Sequence, residues 1–196
     1  AIRLRGIAAQ RLAYLITADA EKYYTIALQA YARAPLDFES EIVEVRRKRT
    51  WFISDPYKKL AELRENLRTL PAGNDAAGLE QDIRDLERRI ARIEADDLRR
   101  QGKLQEALDR LAEPMKSPTP VLYAARGDVY ADMARAAVSD RRAELLRMAA
   151  ADYARAVTDP EALLRAATLY WEDEALMFED NRISQARLAM NRARDL

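Results

Sequence analysis

Charged side chains are the richest source of chemistry in this sequence, and what is missing beside them limits what they can do. The 196 residues hold 33 Lys and Arg against 33 Asp and Glu, with neither histidine nor cysteine. Thiol catalysis, disulfides and Cys/His zinc sites are excluded, and the usual general base of neutral pH is missing. Acid–base work would fall to Glu, Asp, Lys, Tyr or Ser. Carboxylates are abundant, yet no two are set apart as a glycosidase-type pair. No Gly-rich phosphate loop occurs, and Gly73-Asn74-Asp75 is too short for a carboxylate cation loop. The expectation is a protein that is not an enzyme and has no catalytic, cofactor-binding or metal-binding residues.

The strongest charge run is Arg46-Arg47-Lys48-Arg49, followed by Trp51 and Phe52. Basic residues beside aromatics suit nucleic acid, through phosphate contact and base stacking. Against that stand Glu39, Glu41 and Glu44 just upstream, which can pair with the run. Cations also suit a helix C-terminus, and Trp51 and Phe52 read as core. The balanced total charge argues further against a surface built for nucleic acid or anionic membrane. No apolar run approaches the roughly 18–20 residues that span a bilayer, so no membrane insertion is expected. No stretch resembles a signal peptide, and the lack of cysteine leaves the compartment open.

Hydrophobic residues make up 49% of the chain, enough to bury a core, and charged ones 34%, a share common in long exposed helices. Proline and glycine are few, and between them lie Ala-, Leu-, Glu- and Arg-rich stretches of strong helix propensity. The pattern predicts an all-α chain with helices over 2–16, 18–34, 37–53, 56–70, 75–101, 104–114, 119–138, 140–157, 160–178 and 181–195. Asp55-Pro56 and Asp159-Pro160 read as N-caps followed by proline in the first turn. Ser117-Pro118 and Thr119-Pro120 offer two registers for one start, and Ser139 or Asp140 can cap the next helix. Leu60, Leu63, Leu67 and Leu70, then Leu79, Ile83, Leu86, Ile90 and Ile93, form two heptad seams around the turn formers Pro71–Gly78. They predict an antiparallel coiled-coil hairpin with its tip near residues 71–78.

Arg99-Arg-Gln-Gly-Lys-Leu-Gln-Glu-Ala-Leu108 resembles the turn between the two helices of a tetratricopeptide repeat, with Gly102 in the turn and Ala107 at the close approach to Leu98 and Leu111. Ala20, Tyr24 and Ala27 are similar to the small–aromatic–small spacing of that family's second helix, and Ala149, Tyr153 and Ala156 repeat it before Pro160. Tyr123, Gly127 and Tyr130, then Leu163, Ala167 and Tyr170, resemble its first helix, and Ala186, Met190 and Ala193 complete a last pair. The third pair carries about ten residues more between its helices than the family does, and the last pair is also long. The resemblance implies a single helical-repeat domain over 1–196: a right-handed solenoid with a first pair at 1–35, irregular helices and the coiled-coil arm at 36–87, and three pairs at 88–196.

In such a stack the first helix of each pair lines a concave face. Position by position, the resemblance places Arg89, Arg92, Asp96, Arg99, Asp128, Thr168 and Trp171 there. It implies a non-enzymatic scaffold or adaptor that binds a partner protein or peptide through this groove, the coiled-coil hairpin, or both. Arg92 and Arg99 would grip an acidic peptide by bidentate contacts, unless neighbouring carboxylates already pair with them. The Lys/Asn carboxylate clamp of chaperone-binding members is not reproduced. Trp171–Glu174 and Met177–Asp180 join acidic and apolar residues. They would dock a basic partner, or Trp171, Met177 and Phe178 would cover the end of the stack. The alternatives are a self-assembling structural module, signalled by exposure of Leu60, Leu63 and Leu67, and a nucleic-acid regulator using Arg46–Arg49.

Overall fold

The computed structural model describes residues 2–70, 76–172 and 182–196. Among the described residues every regular element is helical, and ten α-helices follow one another: α1 (Ile2–Leu15), α2 (Ala20–Tyr31), α3 (Glu39–Thr50), α4 (Pro56–Arg68), α5 (Ala76–Arg100), α6 (Leu104–Ala112), α7 (Pro120–Ala136), α8 (Ser139–Arg155), α9 (Pro160–Glu172) and α10 (Arg182–Arg194). Among the described residues no helix is long and apolar enough to cross a membrane.

Local chemistry sets many of the ends. The Asp55 carboxylate accepts from the amides of Tyr57 at 2.9 Å and Lys58 at 3.2 Å, so α4 is capped as its Asp-Pro start predicts. Asp159 accepts from the Ala162 amide at 3.1 Å and does the same for α9. Of the two registers offered for α7, the helix takes the second and begins at Pro120. α8 begins at Ser139 itself, with Val138 at the cap position and no side-chain cap bond. α5 closes with the Gly102 amide on the Arg99 carbonyl and the Lys103 amide on the Leu98 carbonyl, both at 2.9 Å. This double closure needs a left-handed residue after the cap, and Gly102 supplies it with φ +76°.

The chain divides into two compact units, Ala1–Glu87 and Arg88–Leu196. In the first, α1 packs on α2, α2 on α3 and α3 on α4. Its core gathers Ala9, Ala13, Ala20, Tyr24, Ala27, Tyr31 and Val45. In the second, α6 packs on α7, α7 on α8, α8 on α9 and α9 on α10. Ala95 of α5 joins Ala107 and Leu111 of α6 and Leu122 and Val129 of α7 in one buried cluster. Contact between sequence neighbours is what small residues at helix crossings allow. Tyr31 of α2 lies against Gly6 of α1, and Tyr153 of α8 against Gly127 of α7, so close that a Cβ on either glycine would meet the tyrosine ring. Tyr31 thus stands to Gly6 as Tyr153 stands to Gly127, about two helical turns beyond the Tyr24 that the Ala20–Tyr24–Ala27 spacing singles out.

Several expectations give way. α7 and α8 are joined through Ala137 and Val138 alone, so the surplus length of that pair is helix, 17 residues in each, and not connection. In α10 the buried positions are Ala186 and Ala189, while Met190 is exposed. Phe52 packs near Tyr24, with ring centroids 5.7 Å apart, but Trp51 is 64% exposed and is no part of the core. The α3 C-cap falls at Trp51, where the helix ends and its face no longer commits a side chain to the core. The tip residues 71–75 and most of the acidic stretches 172–174 and 177–180 lie outside the described residues. Of the heptad positions, Leu63, Leu79, Ile83, Leu86 and Ile90 are buried, and Arg64 of α4 pairs with Glu87 of α5 at 2.7 Å.

Candidate groove on α5, α7 and α9

Four of the expected face residues meet. Arg92, Asp96 and Arg99 on α5 and Asp128 on α7 line one open groove of about 430 Å³. Val121 and Val129 of α7 add apolar wall, and Asp159, Glu161 and Arg165 close it from the start of α9. Arg89, Thr168 and Trp171 are exposed and do not line this groove.

The geometry corrects the acidic-peptide grip. Arg99 donates to Asp96 at 2.8 Å and to Asp132 at 2.9 Å. Those bonds, Asp96 first, hold its guanidinium above the ordinary arginine value against the opposing effect of burial. A fork already closed on two carboxylates has little left for a third. Asp96 also takes Arg100 at 2.6 Å. Asp128 accepts from Arg165 at 2.5 Å and from the Tyr153 hydroxyl at 2.8 Å. Desolvation, then the Asp128 charge, push that hydroxyl well above its ordinary value. Among the described residues, Arg92 has no carboxylate in ion-pair range. Four arginines and five carboxylates line the groove, so neither sign dominates it.

Sequence reasoning missed the pairs that brace this region. Arg126 of α7 grips Asp152 of α8 with two bonds, 2.6 and 2.8 Å long, and Asp152 is buried. The Arg126 guanidinium lies 5.9 Å from the Tyr123 ring centre and 5.8 Å from that of Tyr130. The Asp152 bond, ahead of burial, holds Arg126 above its usual range. No spacing rule links positions 26 apart on different helices, so the pair had no sequence signal.

The basic run is largely engaged within its own unit. Arg46 donates to the Thr69 hydroxyl at 2.5 Å, while Lys48 pairs with Glu44 and Arg49 with Glu62. Arg47 is exposed and, among the described residues, makes no side-chain ion pair. Among the described residues no group of three or more acidic side chains could hold a metal ion. No protein-family model, curated protein or solved structure matches this chain.

Proposed function

We propose that this chain is a non-enzymatic protein-interaction module, a repeat scaffold of the tetratricopeptide type, whose groove on α5, α7 and α9 holds a segment of a partner protein. The observation that carries the reading is the convergence of Arg92, Asp96, Arg99 and Asp128, from alternate helices, on one groove. Alternate helices facing one side is the arrangement that a stack of helical hairpins uses for recognition. The repeated glycine–tyrosine contacts and the turn at Gly102 support the same reading. The ion pairs on the groove floor fix its shape, and they leave Arg92 and the exposed Val121 as contact points. They suit a partner segment with one acidic and one apolar side chain, not a uniformly acidic peptide.

A photo-crosslinking amino acid at Val121, irradiated in native lysate, tests this. The expected result is one dominant protein adduct, lost on Arg92→Glu and absent when the crosslinker replaces the exposed Tyr14. Capture unaffected by Arg92→Glu would place recognition elsewhere.

Self-assembly is a second reading with its own observation. Leu63 is buried and Leu60 and Leu67 are half-buried, so the α4 seam is not the free surface that reading first required. α1, however, exposes Leu4 (73%) and Leu15 (75%), with Leu12 on the same face. Light scattering over a concentration series separates the two: a mass that grows with concentration and returns to that of the monomer in Leu4→Glu/Leu15→Glu supports assembly.

A further inference from the structure

The unit Ala1–Glu87 encloses a second, smaller cavity of about 160 Å³ that the groove reading does not use. Val43 of α3, Leu70 just beyond α4 and Leu79 of α5 give it apolar walls. Its polar lining is Asn66, Thr69, Arg46 and Arg47, with no carboxylate among the described lining residues. Asn66 is only 7% exposed, and both its amide nitrogen and its carbonyl oxygen lack a hydrogen-bond partner. A buried amide left with both ends unsatisfied costs stability, and an apolar residue there would not. Arg46 spends one donor on the Thr69 hydroxyl and has others to give. Arg47 stands exposed beside it.

We propose that this cavity binds a small aliphatic carboxylate bearing a hydroxyl or amino group at its 2-position. Each part of such a molecule answers one feature of the site. Its carboxylate meets Arg46 and Arg47; none of the described lining residues is acidic, and Glu65 of α4, which feels the Arg46 charge, bonds first to Arg68. Its branched tail lies against Val43, Leu70 and Leu79. Its 2-substituent donates to the Asn66 oxygen, while the Asn66 nitrogen donates to a carboxylate oxygen, so both orphaned atoms are satisfied at once. The volume lies below the usual range of drug-sized pockets, which limits the ligand to a free small acid.

The test is calorimetric titration of the full chain with 2-hydroxy-4-methylpentanoate, beside 4-methylpentanoate, which lacks the 2-hydroxyl. Binding of the hydroxy acid is expected, with affinity falling at least tenfold in Arg47→Gln and in Asn66→Leu, and at least fivefold for the simpler acid. Asn66→Leu should melt no lower than the parent protein. Arg47 is at the surface, so Arg47→Gln carries the test if Asn66→Leu fails to fold. No heat with millimolar hydroxy acid, unchanged affinity in Arg47→Gln, or equal binding of the two acids would overturn the assignment and leave a cavity filled by water alone.

Discussion

Two tyrosines show how much a single hydroxyl's surroundings decide. Tyr31 and Tyr153 both stand buried against a helix glycine, but the Tyr153 hydroxyl donates to Asp128 while that of Tyr31 has no partner. Tyr153→Phe should therefore lower stability by about 1 kcal/mol, whereas Tyr31→Phe should be neutral or stabilising; urea melts of both variants check this. Burial raises the pKa of both hydroxyls. Burial and Asp128 raise the Tyr153 pKa above the ordinary 10.0, so the folded chain keeps a proton that the unfolded chain gives up. That contribution is whole below about pH 10 and is lost as pH rises further. The parent's melting temperature should fall more steeply above about pH 10 than that of Tyr153→Phe. The Arg126–Asp152 pair makes a third case. Asp152→Ala leaves a largely buried guanidinium without its carboxylate and should cost about 3 kcal/mol, the low end for a broken buried pair, because Arg126 is a quarter exposed. Tyr153 is legible as a core position from its small–aromatic–small spacing, which in α2 names Tyr24 and not Tyr31. The partner of the Tyr153 hydroxyl is not legible, because Asp128 comes from another helix.

Among the helices, ends and faces follow from chain-local physics. Asp55 and Asp159 cap, Pro120 starts α7, and Gly102 ends α5, each within reach of its own sequence neighbours. Gly127 shows where local preference and packing oppose each other. Alanine is the better helix former by about 1 kcal/mol, yet a Cβ at position 127 would lie 2.7 Å from the Tyr153 ring and 3.3 Å from the Ala149 carbonyl. Gly127→Ala should therefore destabilise by about 1–3 kcal/mol, the usual cost of overpacking, with helicity by circular dichroism unchanged below the transition. Gly102 has open space around it, so Gly102→Ala meets no clash but does meet the positive φ. Its cost should be about 1–2 kcal/mol, read as an earlier denaturant midpoint. The exposed Trp51 marks the opposite limit. A terminal residue can point to either side of a helix end, and composition does not say which.

Within the second unit, the buried clusters around Ala107, Leu145 and Tyr153 draw all their described members from Arg88–Leu196. The fragment Arg88–Leu196 should accordingly fold alone and melt cooperatively, with the near-ultraviolet signal of its packed tyrosines; a broad, non-cooperative melt would show that it depends on the first unit. The all-helical class, most helix boundaries and the small residues at crossings could be read from the chain, because propensity, capping and periodicity act over a few residues. The same holds for the absence of thiol and imidazole chemistry, which is a matter of composition. Arg92, Asp96, Arg99 and Asp128 were placed on one face by position matching alone. Their meeting in a groove, the closure of Arg99 on Asp132, the Arg126–Asp152 grip and the unpartnered Asn66 all depend on which helices lie side by side. Such contacts join residues far apart in the chain, so their energies arise from packing, and no local spacing encodes them.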